Sequence, residues 1–145
     1  MTSQRLAVVV DGNTPDRVST VALLETAGYQ VRSARTFDEA KTLIAAERPH
    51  ILVTDLRLGQ YNGIHLVLRS RSENPRMAAL VTSRIADPVL EAEVHRQNAH
   101  FVLRPLTGPQ LLAAVTASLN DVAPAPPPVA AVPRLGEAPV IPDLC

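Results

Sequence analysis

Five short strand-like runs alternate with five stretches of helical periodicity, at about Arg5 to Val10, Tyr29 to Ala34, His50 to Thr54, Ala78 to Thr82 and His100 to Leu103. Alternation of this kind, with short connections, predicts right-handed βαβ units wrapped around a parallel sheet. The first, third and fourth runs are apolar throughout, as strands covered on both faces must be. The second is mixed, with Val31 and Ser33 alternating with Arg32 and Ala34, which suits an edge.

Local chemistry marks the helices between them. Thr14-Pro15, Thr36 with Glu39, Asp87-Pro88 and Thr107 with Gln110 each supply a capping oxygen together with Pro in the first turn or a capping-box partner. Apolar spacing assigns Thr20, Leu23, Leu24 and Ala27 to one face of the first helix. Phe37, Ala40 and Ile44 take one face of the second, and Leu112, Val115 and Leu119 one face of the fifth. Gly28 reads as a left-handed helix end, and Pro49 stops the second helix before the third strand.

Chemistry gathers at the strand ends. Asp11 closes the first strand, Asp55 the third, Thr82-Ser83 the fourth and Arg104-Pro105 the fifth. In open α/β sheets, ligands bind beyond the carboxyl ends of the strands, where strand order reverses. The expected fold is therefore flavodoxin-like, a (βα)5 unit with a parallel five-stranded sheet of order 2-1-3-4-5. In that order Asp11 and Asp55 face each other, and the hydroxyls and the fixed positive charge complete one anion-handling site.

With 145 residues, one ordinary core is expected, over residues 1–120. Beyond Asn120, Pro124, Pro126, Pro127, Pro128, Pro133, Pro139 and Pro142 predict an extended tail over residues 121–145, or the start of a linker to another domain. Lys+Arg and Asp+Glu both number 14, so bulk charge points to neither nucleic acid nor an anionic membrane. Aromatics at 3% give little to stack on bases. Cys145 is the only cysteine, and no signal or membrane-spanning stretch is expected, so the reading is cytoplasmic.

Asp11, Asp55, Thr82-Ser83 and Arg104-Pro105 together resemble the receiver domains of bacterial two-component response regulators, over about residues 5 to 120. The loop Asp55-Leu56-Arg57-Leu58-Gly59-Gln60-Tyr61-Asn62-Gly63 is similar to that family's Asp-x-x-Met/Leu-Pro-x-x-x-Gly, with Gly59 at the usual Pro. The resemblance implies that Asp55 is a phosphoacceptor, charged by a sensor histidine kinase or phosphotransfer protein. It implies Mg²⁺ held by Asp11, Asp55 and the Arg57 carbonyl, and phosphoryl contacts or switch roles for Thr82, Phe101 and Arg104. It also implies a cis bond before Pro105, and output to a downstream protein through the face of helix four, strand five and helix five, about Asp87 to Asn120. The domain would be a signalling module and not an enzyme.

Two positions depart from the pattern. Gly12 stands where the family has a second acid, which predicts a weakened Mg²⁺ site. Asn13 offers an amide oxygen one residue farther on, where it is expected to point away. Arg104 stands where the family has lysine, trading a compact ammonium for a planar fork, in a chain whose sole lysine is Lys41. Thr82 and Phe101 read equally well as a strand end and a core filler. His50, His65, His95 and His100 share no metal-ligand spacing, and Arg69, Arg71 and Arg76 read as a solvated helix face.

Two alternatives stay open. A pseudo-receiver would bind its partner through the same face without phosphorylation. A small flavodoxin-like enzyme or electron carrier is disfavoured, because Asp11-Gly12-Asn13-Thr14-Pro15 lacks the glycines and Lys-Ser/Thr of nucleotide loops.

Overall fold

Leu6–Val10 form strand β1, five residues all buried, because helices cover the sheet on both sides. The structure, a computed structural model, describes residues 4–121. The expected tail therefore lies outside the described residues, apart from Asp121. After β1 come α1 (Thr14–Thr26), β2 (Gln30–Ala34), α2 (Phe37–Glu47), β3 (Ile51–Asp55), β4 (Arg57–Leu58) and β5 (Tyr61–Asn62). Then follow α3 (Gly63–Glu73), β6 (Ala78–Ser83), α4 (Pro88–Arg96), β7 (His100–Leu103) and α5 (Gly108–Asn120).

The main sheet is parallel, in the order β2-β1-β3-β6-β7. This is the expected 2-1-3-4-5, interrupted in numbering only by the small antiparallel ribbon β4-β5. Strand alternation sends Val8, Val10, Leu52 and Val81 to one face, where they pack with Ala40 and Ile44 of α2, Leu66 and Val67 of α3 and Val94 of α4. Ala7, Val9, Ile51, Val53 and Leu80 point the other way, onto Leu24 of α1 and Leu111 and Val115 of α5. Each Val, Leu or Ile side chain among them, taken fully out of water, contributes about 1.5–3 kcal/mol. The edge strand β2 gives Val31 to one layer and Ala34 to the other while Arg32 and Ser33 stay exposed.

Most helix starts form where expected. Asp87 caps α4, and Thr107 with Gln110 closes a full capping box on α5. At α2 the Thr36 hydroxyl accepts from the Glu39 N–H, but the Glu39 carboxylate reaches past the cap to the Arg35 N–H. The cap of α1 is Asn13, not Thr14, since the Asn13 amide oxygen accepts from the Asp16 N–H at 3.0 Å. Two apolar faces are also rotated from expectation. Ala27 is exposed, and α5 buries Leu111, Val115 and Ser118 with Leu112 and Leu119 at the margins. Gly28 does end α1 in a positive-φ conformation, at 100°.

Candidate functional site

The carboxylates meet because of register. Val10 pairs with Thr54 across β1 and β3, so Asp11 and Asp55, each the next residue, stand side by side at the carboxyl edge. Asp55 in turn pairs with Thr82, and Ser83 with Leu103, which brings Arg104 to the same edge. Asp11 is 3% exposed, and its Oδ1 accepts from the Asn13 N–H at 2.9 Å. Burial pushes the Asp11 carboxyl above its ordinary range against the pull of that hydrogen bond and of Arg104. Asp55 is pushed up to about 6, first by burial and then by the neighbouring Asp11 charge, while Leu56 and Arg57 backbone hydrogen bonds and Arg104 oppose the rise.

The loop after Asp55 is held tightly against β3. The Thr54 hydroxyl donates to the Asp55 carbonyl at 2.9 Å, and the Gly63 N–H donates to the Leu56 carbonyl at 2.7 Å. A Cβ on Gly63 would sit 2.5 Å from the Asp55 carbonyl oxygen and 2.9 Å from Thr54 Cγ2, so only glycine lets α3 start this close. Gly59 turns the β4-β5 ribbon at φ 65°, a conformation closed to proline. Tyr61 of that ribbon stacks on Phe37, with ring centroids 4.5 Å apart.

Arg104 points inward. Its side chain is 9% exposed, it follows a backbone bond from the Arg104 N–H to the Ser83 carbonyl at 2.8 Å, and it precedes Pro105 through a cis peptide. Its Nη2 donates to the Thr20 hydroxyl at 3.1 Å, and Nε lies 4.0 Å from Asp16 Oδ2. Among the described residues Nε has no hydrogen-bond partner. Thr82 is buried at 1% exposure. Phe101 is half-buried and packs on the layer that holds Val81, Val94 and Ala99.

The family profile of the response regulator receiver domain matches residues 7–116. The chain belongs to the response regulator receiver family. A receiver protein of Anaeromyxobacter sp. (strain Fw109-5) is 33% identical over 110 residues, covering 74% of this chain and 46% of that protein. The chain thus spans less than half the length of that curated relative, and 22% of the AlgB alginate regulator of Pseudomonas putida, at 29% identity. A CheY-like receiver from Methanospirillum hungatei JF-1 superposes with a TM-score of 0.77 at 23% identity, over 82% of this chain and 96% of that one. A Burkholderia pseudomallei response regulator, solved with a phosphorylated aspartate, calcium and citrate, reaches 0.73 at 26% identity, over 81% of this chain and 70% of that one.

Receivers are modules of two-component signalling, and the family generally binds Mg²⁺ at the phosphorylation site. Mg²⁺ is held by one or two carboxylates with waters completing the octahedron, and two adjacent buried acids that repel each other fit that demand. Asp11 and Asp55 would be the carboxylates, and the Arg57 carbonyl lies two residues beyond Asp55. Among the described residues no three His, Cys, Asp or Glu side chains group closely enough to hold a metal. Gly12 contributes no side-chain oxygen, and the amide oxygen of Asn13 accepts the capping bond of α1.

Three residues at this receiver's site escaped the sequence reading. Asp16 accepts from Arg84 Nη2 at both carboxylate oxygens, at 2.6 and 2.7 Å, and Thr20, expected in the core, holds Arg104. Asp16 and Thr20 stand four apart in α1, which puts them on one helix face and was the available signal. Arg71 departs from the expected solvated face. It is part-buried and donates to the carbonyls of Met77 and Asn98 at 3.0 Å and to that of Gln97.

Proposed function

We propose that Asp55 accepts a phosphoryl group from a sensor histidine kinase or phosphotransfer protein and relays that event to a downstream protein through the α4-β7-α5 face. The convergence of Asp55, Asp11, Thr82 and Arg104 at one sheet edge carries this reading. A carboxylate oxygen of Asp55 forms the new bond to phosphorus. The phosphorus–nitrogen bond of the donor phosphohistidine breaks, and the imidazole nitrogen keeps the electron pair and later takes a proton. Asp11 and the Asp55 carboxylate, with the Arg57 carbonyl, would hold Mg²⁺, which supplies counter-charge to the phosphoryl oxygens when bound. Gly12 weakens that site. Arg104 adds a fixed positive charge, and Thr82, the β6 residue in register with Asp55, offers a hydroxyl donor to the phosphoryl group. Phe101 has no phenolic hydroxyl, so its part in a switch is packing alone.

We assign the module to the cytoplasm, where such donors act. No helix among the described residues is long and apolar enough to cross a membrane. A second reading rests on Gly12: a pseudo-receiver that offers its α4-β7-α5 face constitutively. Incubation of the full chain with Mg²⁺ and phosphoramidate, followed by intact mass, separates the two. A phosphate adduct present in the wild type and lost in Asp55→Ala supports phosphoacceptance. No adduct at any Mg²⁺ concentration leaves the constitutive module.

A further inference from the structure

Phosphorylation would set about two negative charges beside Asp11, in a pocket where burial already disfavours charge. Gly12 adds no side-chain carboxylate to the cation position, so positive side chains at this edge would share the counter-charge with any bound cation. Two guanidiniums are within electrostatic reach, since Arg104 acts on both Asp11 and Asp55, and both acids in turn act on Arg84. Neither has spent its donors. Arg84 engages Asp16 through Nη2 alone, with its side chain 53% exposed. Arg104 is more than nine-tenths buried, gives only Nη2 to Thr20 and leaves its buried Nε without a partner among the described residues. A buried donor in that condition costs free energy unless an acceptor arrives. The acid closest to both is Asp16, a singly charged carboxylate only 14% exposed.

We propose that Arg84 and Arg104 form a two-guanidinium oxyanion site for the phosphoryl group on Asp55, and that Asp16 occupies it until that group arrives. The inference rests on Asp55 as phosphoacceptor. A phosphoryl dianion offers three acceptor oxygens and more charge than one carboxylate, so it outcompetes Asp16 for the exposed Arg84 and supplies the acceptor that Arg104 Nε lacks. Arg84 opens the β6-α4 loop, where the Ser83 hydroxyl bonds the Ile85 backbone at both its carbonyl and its N–H. Transfer of Arg84 from α1 to the phosphoryl group would therefore draw on the segment leading into α4. The counter-charge here is chiefly protein-borne, which makes acylphosphate formation tolerant of chelation.

The full chain is incubated with phosphoramidate in Mg²⁺ or in EDTA, and adduct is followed by intact mass in wild type, Arg84→Gln, Asp16→Asn and Asp55→Ala. Thermal melts of each variant check folding, which exposed Arg84 should not disturb. Wild type is expected to form an Asp55-dependent adduct in EDTA, and Arg84→Gln to lower its yield on the order of tenfold or more. Asp16→Asn should label faster than wild type in EDTA, because the arginines lose their resident partner. In the phosphorylated wild type, the Nε–H resonances of Arg84 and Arg104 should both move. Adduct that forms only with Mg²⁺, or equally in Arg84→Gln, overturns the two-guanidinium site and leaves phosphoacceptance standing. Unchanged or slower labelling of Asp16→Asn overturns the role of Asp16. No adduct in either condition overturns phosphoacceptance, and this inference with it.

Discussion

Gly12 follows the buried Asp11 at the carboxyl end of β1 and is itself exposed. A Cβ there would meet only the Arg35 carbonyl at 3.6 Å, an ordinary contact, so the backbone would accept an aspartate without rearrangement. Whether position 12 carries a carboxylate is therefore a matter of residue identity and not of space. Gly12→Asp should raise Mg²⁺ affinity on the order of tenfold or more, since affinity for hard cations follows the number of charged ligands. The same change crowds a third acid against Asp11 and Asp55, so in EDTA at neutral pH the variant should lose about 1 kcal/mol. Isothermal titration with Mg²⁺ and urea denaturation in EDTA measure the two effects. An unchanged Mg²⁺ titration would mean that residue 12 does not face the cation position.

At the scale of elements, α3 does two jobs, one at each end. Its first residue, Gly63, lets the helix start against the carbonyl of Asp55, and Gly63→Ala forces a 2.5 Å contact that backbone must absorb. That variant should be destabilised by about 1–3 kcal/mol and should label more slowly at Asp55, as read by urea midpoints and adduct kinetics. Normal labelling would show that the loop yields without moving the carboxylate. Near its other end, Arg71 ties α3 to the carbonyls that close α4. Burial pulls the Arg71 pKa down, yet three carbonyls hold the charge in place. Arg71→Ala should cost about 2–3 kcal/mol and speed amide exchange over Gln97–Ala99, with Arg71→Lys recovering only part, because a point charge cannot serve three carbonyls in a plane. Equal stability of Arg71→Ala and wild type would reduce the clamp to a surface contact. Caps and periodicity made most of these elements legible, because Asp87 and the Thr107-Gln110 box act within one turn of chain. The start of α3 was not legible, since its cap Asn62 follows a two-residue ribbon that carries no periodic signal. Nor was the burial of Arg71, because its acceptors lie six, 26 and 27 residues away.

For the whole molecule, strand order brought Asp11, Asp55, Thr82 and Arg104 together as the alternation of elements required. The Asp16–Arg84 pair spans 68 residues and exists only once the sheet has formed. The free energy of that convergence depends on pH. The Asp55 carboxyl, pushed up to about 6 from an ordinary 3.8, binds its proton more tightly in the folded chain than in the unfolded one. Folding is then favoured by protonation, so the Asp55 contribution is most stabilising below the unfolded value and is lost as pH rises toward and through about 6. Asp11 is shifted in the same direction, whereas Glu39, held low by the Arg35 backbone N–H, and Glu93, held low by hydrogen bonds from Arg96 and Gln97, act with the opposite sign. Comparison with Asp55→Asn removes those other groups. In EDTA at about pH 7.5 the Asn variant should be more stable than wild type by up to about 3 kcal/mol, with the gain shrinking toward zero near pH 4. Mg²⁺ should stabilise wild type at the higher pH and leave Asp55→Asn nearly unmoved, because binding to the folded state alone adds to its stability. Urea midpoints across that range test both statements. A pH-independent difference between the two chains would mean that Asp55 stays solvated and charged at no cost, and that the acids at the sheet edge do not sense each other.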